Sequence, residues 1–93
     1  MAVRITHRRM STGGTGHEHI HSVKWENQAS SETGTSTVAE MVDFIDNKHG
    51  KAYTWDGAVR ADVGVVKPAS GKPYIRTYAD GKWTNNLLAL PLF

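Results

Sequence analysis

Apolar residues recur at helical spacing in one stretch of this chain and at a spacing of two in most of the rest. Val38, Met41, Val42 and Ile45 fall three and four apart, so they share one helical face, with Glu40, Asp43 and Asn47 opposite. Thr37-Val38-Ala39-Glu40 just ahead of them fits a capping box, in which the threonine hydroxyl takes an early backbone N–H and the glutamate reaches back. Lys48 and His49 suit a helix C-terminus, and Gly50 is the expected left-handed stop. One helix must therefore find its partner in a sheet.

The strand signals are distributed on both sides of that helix. Val3 and Ile5 alternate with Arg4 and Thr6. After the glycine-rich break Met10–Gly16, alternation returns from His17 to Glu26. This places His19, His21, Val23 and Trp25 on one face and Glu18, Ile20, Ser22, Lys24 and Glu26 on the other. Residues 27–36 read as a polar Ser/Thr/Gly linker. Lys51–Trp55 and Ala58–Lys67 flank Asp56-Gly57 as a hairpin, with Val59, Ala61, Val63 and Val65 on its buried face. Tyr74–Tyr78 forms a further strand, and Asp80-Gly81 turns into Lys82-Trp83-Thr84. The expected fold is α+β: a small antiparallel sheet in the order β-β-α-β-β-β with one amphipathic helix packed on it.

At 93 residues the chain is read as a single domain spanning 1–93. A chain of this size buries roughly 60% of its unfolded surface, enough for one modest core. It has no cysteine, which points away from a disulfide-stapled secreted domain, and the basic start lacks an apolar signal stretch. The apolar end Leu87–Phe93 is too short to cross a bilayer. A cytoplasmic protein with no membrane partner is expected.

The formal charge of +2 conceals a segregation. Five acids and no lysine or arginine lie between Glu26 and Asp46, whereas seven cations face three acids between Lys48 and Lys82. An acidic helix side and a basic sheet side follow, and a basic face attracts phosphates.

Lys72-Pro73-Tyr74-Ile75-Arg76-Thr77-Tyr78-Ala79-Asp80-Gly81, continued by Trp83-Thr84-Asn85-Asn86-Leu87-Leu88-Ala89-Leu90-Pro91, carries a likeness that His17-Glu18-His19-Ile20, Trp25 and Met41-Val42-Asp43-Phe44-Ile45 extend over nearly the whole chain. In these runs the sequence resembles a group of short bacterial and phage proteins, domain-of-unknown-function family 3892. The resemblance implies a small accessory protein and brings no catalytic or binding residues with it.

Four constellations bear on function. Tyr74, Arg76 and Tyr78 share one strand face, which offers aromatic faces for bases and a forked cation for phosphate; cross-strand aromatic pairs under an arginine would equally stabilise a sheet without a ligand. Arg8 and Arg9 precede the loop Thr12-Gly13-Gly14-Thr15-Gly16, whose amides could cradle an anion, although His17 and a strand follow where a phosphate-binding loop needs lysine and a helix. His17, His19 and His21 could line one strand face about 7 Å apart, a poor geometry for metal nitrogens that must each lie about 2.0–2.1 Å from zinc, so hydrogen-bonded, partly buried histidines are the common alternative. Leu87–Phe93 either closes the core or forms an oligomer contact.

No cysteine nucleophile and no Gly-x-Ser-x-Gly elbow is present, so a non-enzymatic module without a cofactor is expected. Its ligand would be anionic, a nucleotide or single-stranded nucleic acid, held by Arg8, Arg9, Tyr74, Arg76 and Tyr78. The alternatives are a protein-interaction or homodimeric assembly module using the acidic helix or the C-terminal tail, and a metal site at His17, His19 and His21.

Overall fold

The computed structural model describes residues 2–14, 16–55, 57–79 and 81–93, with the backbone alone at Glu18. Among these, β1 (Ala2–Met10), β2 (Ile20–Asn27), β3 (Thr33–Thr37), α1 (Val38–Asp46), β4 (Lys51–Trp55), β5 (Arg60–Val66), β6 (Tyr74–Ala79) and β7 (Lys82–Thr84) follow in chain order. The seven strands form one sheet in the spatial order β3-β2-β1-β4-β5-β6-β7.

The α+β class expected from the sequence is found, but the sheet is larger and mixed. Every neighbouring pair is antiparallel except the central one, β1 with β4, which runs parallel from Ala2↔Lys51 to Arg4↔Tyr53. The reason lies in the connection. The β1-β2-β3 meander ends on one side of β1, and the chain then crosses the sheet through α1 to return on the other side. A parallel pair requires a crossover of this kind. The stretch expected as a linker contributes β3, whose residues Thr33 to Thr37 pair with Glu26 to Ser22. Polar β-branched residues suit such an edge strand.

Two bulges reset the inside–outside alternation at one end of the sheet. On β1 the register jumps between Ile5 and His7, so Thr6 is the extra residue. Val3 and Ile5 are buried in the core, while beyond the bulge the half-buried Arg8 and Met10 take the register positions opposite Val23 and Ile20. The second shift, between Arg9 and Met10, leaves His21 as the extra residue on β2. His17–His19 is a short 3-10 turn, not strand, so the single alternating run expected from His17 to Glu26 is interrupted twice. Likewise Val59 is exposed because β5 begins only at Arg60, while Ala61 and Val63 are buried as expected.

α1 begins with the expected capping box. Thr37 Oγ1 accepts from the Glu40 amide at 3.2 Å, and Glu40 Oε1 accepts from the Thr37 amide at 2.9 Å. Its apolar face, Met41 with Val38, Val42, Phe44 and Ile45, packs on a core of Val3, Ile5, Val23, Ala52, Val63, Ile75 and Leu87. At the far end the left-handed residue is His49 (φ 56°), not Gly50. Gly50 serves a different need: its amide donates to Phe44 O at 2.8 Å, and the Phe44 ring fills the space a Cβ would take. Gly57 and Gly81 have φ of 96° and 78°, as the expected tight turns require; their preceding residues, Asp56 and Asp80, lie outside the described residues, as does Thr15 of the glycine loop.

The C-terminal segment closes the structure. Leu87, in a 3-10 turn, is fully buried, and Thr77 Oγ1 accepts from its amide at 3.3 Å. Arg8 then donates its amide to Pro91 O at 2.9 Å and accepts from the Phe93 amide at 3.1 Å, so the tail runs along the part of β1 that β4 leaves unpaired. Leu92 remains exposed.

Candidate functional site on the uncovered sheet face

α1 covers one face of the sheet, and strand parity decides what stands on the other. Val3, Ala52, Ala61, Val63, Ile75 and Thr77 are buried on the helix side. Their neighbours form a single row of Cα partners on the uncovered side: Glu26, Arg4, Tyr53, Asp62, Tyr78 and Trp83, contributed by β2, β1, β4, β5, β6 and β7 in turn. Flanking rows add the pair Trp55 and Arg60, then Gly64 and Arg76.

Aromatic surface is abundant here. Trp55, Tyr78 and Trp83 are 41%, 42% and 46% exposed, although rings of this size are ordinarily more deeply buried. Tyr78 and Trp83 meet edge to face, with centroids 5.3 Å apart. The Trp83 indole also reaches across β6, where its benzo edge covers Gly64 on β5. The Arg60 guanidinium lies 4.1 Å from the Tyr53 ring centroid, and its Nε stands 3.4 Å from Asp62 Oδ1. Arg76 donates from Nε to Thr84 O and from Nη2 to Asn85 Oδ1, both at 3.3 Å. Arg4 donates to Trp55 O at 3.0 Å. These bonds hold the guanidinium groups in place; Arg60 is exposed, whereas Arg4 and Arg76 are half-buried, with Arg4 Nε itself buried.

Further along β1 the same face is cationic. The Phe93 ring has Arg9 Cζ at 4.5 Å and Lys24 Nζ at 5.1 Å from its centroid, with His7 edge-on at 6.5 Å.

Of the five residues expected at an anion site, the fold groups Arg76 and Tyr78 and sends the others elsewhere. Tyr74 shares their parity but begins the strand, where it also borders a cleft on the helix side. Arg9 belongs to β1, three strand spacings or about 14 Å across the sheet from β6. Arg8 points to the opposite face, paired with Val23. Arg8 and Arg9 do meet Gly14 of the glycine loop and Phe93, around a separate hollow of about 540 Å³ at the sheet's end.

The three histidines do not share a face. His17 and His19 lie in the 3-10 turn, the first buried and the second exposed, and His21 is the bulged residue, its Nδ1 3.0 Å from Ser22 Oγ. Among the described residues no group of three or more His, Asp or Glu side chains is placed to hold a metal ion.

A hollow of about 1050 Å³ lies on the helix side between Val38, Val42, Ile20 and the loop around Pro73. Its lining is mainly apolar, with Lys72 and His21 at its border, and it lacks the clustered cations and exposed rings of the opposite face. Volume and chemistry point to different places, and the chemistry is the better guide to a charged ligand.

Sequence reasoning missed Arg4, Tyr53, Trp55, Arg60 and Trp83. The signal was present in the alternation of Lys51–Trp55 and Arg60–Val66, but it becomes a surface only once the register of β4, β5 and β6 is known.

The domain is thus a small α+β unit with a mixed sheet, helix-covered on one side and carrying rings and arginines on the other. It belongs to the family described as Protein of unknown function (DUF3892), which matches residues 3–91. Searches of curated proteins and of solved structures return no match. Among the described residues, no helix is long and apolar enough to cross a membrane.

Proposed function

We propose that this domain is a non-enzymatic binding module for single-stranded nucleic acid, which lies across the uncovered sheet face. The observation that carries the reading is the exposed Tyr78–Trp83 pair beside Arg76 and Arg60 on the face of the sheet opposite α1. Bases are flat and apolar on both sides, and stacking each on an aromatic ring contributes about 1–3 kcal/mol irrespective of sequence. Guanidinium forks match phosphate oxygens. Arg4, Lys24, Arg60 and Arg76 outweigh Glu26 and Asp62 on this face, so the local field is positive although the net charge is only +2. The reading assigns no catalytic step and needs no cofactor.

Titration of intrinsic tryptophan fluorescence with pentadeoxynucleotides at several salt concentrations tests it. Quenching with salt-sensitive affinity is expected. No binding by any oligonucleotide at low salt would overturn the proposal, and binding of mononucleotides alone would restrict it to nucleotides.

A protein-interaction role through the acidic helix has less support in the geometry. Asp43 and Asp46 already pair with Lys48 and Lys67 at 3.7 and 3.0 Å, and Glu40 is turned into the cap. Exposed Leu92 is what favours an oligomeric contact, and light scattering at high concentration would detect it.

A further inference from the structure

One residue on the uncovered face has the wrong charge for a phosphate platform. Asp62 stands in the middle of it, with Tyr53 and Tyr78 as its register partners on either side and Arg60 two residues away on its own strand. A carboxylate there repels a sugar-phosphate backbone, so a face made only to hold phosphate would be better with almost any other residue. Nothing in the packing requires it. Its side chain is 70% exposed, and among the described residues its partner is Arg60 alone, through one contact of 3.4 Å. An exposed pair of this kind contributes little to stability. What the contact does is direct the carboxylate, because Arg60 is itself held over the Tyr53 ring.

We infer that Asp62 reads the edge of a base stacked at Tyr78 and Trp83 and makes this face select guanine. The inference rests on the nucleic-acid reading above. Asp62 is the register partner of Tyr78, and β5 and β6 are about 4.8 Å apart, so its carboxylate stands within one strand spacing of a base stacked beside Tyr78, close enough to meet that base's edge. A carboxylate offers acceptors and no donor, so it discriminates bases by the donors they show. Guanine places its ring N1–H and its 2-amino group side by side, a spacing that both carboxylate oxygens can meet together. Cytosine and adenine show one exocyclic amino group beside an acceptor, and thymine shows one N–H between two carbonyls; each leaves a carboxylate oxygen facing a lone pair. Selection thus comes from attraction for one base and repulsion of the other three.

The test uses five-residue deoxyoligonucleotides with thymidine at every position but the third, which is guanine, inosine, adenine, cytosine or thymine, titrated against the wild-type chain and Asp62→Asn. Guanine is expected to bind about tenfold more tightly than adenine, cytosine or thymine, the scale of a good bidentate base contact. Inosine, which lacks the 2-amino group, should fall between. Asp62→Asn should abolish the preference while leaving or raising affinity for the all-thymidine strand, since a negative charge is removed. Equal affinity for all five centres, or a guanine preference that survives Asp62→Asn, would overturn the inference and leave the binding function standing. If no oligonucleotide binds either protein, both fall together.

Discussion

The benzo edge of Trp83 lies 3.3 Å from the point where a Cβ on Gly64 would stand, so the absence of a side chain at Gly64 is what lets the indole cross β6. The two residues sit on strands separated by β6 and act as one surface. Gly64→Val tests this without weakening the sheet, because a β-branched residue is favoured in a strand. The expected outcome is unchanged or slightly raised resistance to urea, altered tryptophan emission, and a loss of oligonucleotide affinity of about tenfold, the scale of one stacked base. Retained affinity would show that the indole's position is unimportant.

Arg76 and Arg8 were equivalent candidates in the sequence, and the fold puts them on opposite faces. Their contributions to salt dependence should therefore differ. For single strands the slope of log affinity against log salt is about 0.7 per neutralised phosphate. Arg76→Gln is expected to reduce the slope by about that amount, whereas Arg8→Gln should leave it unchanged. Equal effects would mean that the ligand does not follow the uncovered face.

Much of this architecture is legible in the residues, and the parts that are not share a physical cause. The helix was readable because its cap and apolar stripe are local and agree, although the left-handed residue after it is His49 and not Gly50. So were the β4–β5 and β6–β7 turns, where an Asp-Gly pair limits the backbone options. The parity of Arg76 and Tyr78 was also readable, since alternation within one strand needs no partner. Pairing between distant strands is different: nothing local at Ala2–Arg4 says that Lys51–Tyr53 will lie beside it in parallel. The row that makes the candidate site depends on that pairing. Bulges defeat parity for the same reason. Thr6 and His21 look like ordinary strand residues, and only the register of β1 against β2 shows that they are extra. The register thus separates Arg8 from Arg76, and the 3-10 turn at His17–His19 together with the bulge at His21 separates the histidines, which alternation alone puts on one face.

Thr77 shows how the apolar tail is fastened. Its side chain is fully buried; Oγ1 donates to Thr84 O at 3.1 Å and accepts from Thr84 Oγ1 at 2.8 Å and from the Leu87 amide at 3.3 Å. Thr77→Val keeps the shape and removes the hydroxyl, leaving a buried amide and a neighbouring hydroxyl without their acceptor. A destabilisation of about 1–3 kcal/mol is expected in chemical denaturation. Because Leu87 is held from this point, amide exchange should accelerate first between Leu87 and Leu90. A change below about 0.5 kcal/mol would indicate that the hydroxyl only fills space.

The capping box gives the protein a pH signature of known sign. Thr37→Ala removes the acceptor for the Glu40 amide and should cost about 1 kcal/mol. Glu40 responds differently, because the Thr37 backbone amide and then its hydroxyl donate to the carboxylate and hold its pKa below the ordinary 4.5. The folded state therefore binds its proton less readily than the unfolded chain, so ionised Glu40 stabilises the fold above about pH 4.5, and that contribution fades as pH falls through the lowered value. Gln at this position can still accept the backbone bond but carries no charge. The stability difference between wild type and Glu40→Gln should thus be present at neutral pH and close on acidification, as urea midpoints measured from pH 7 down to about pH 3 would reveal. A difference that stayed constant over that range would show that the helix start is held by the geometry of the box and not by the ionisation of its glutamate.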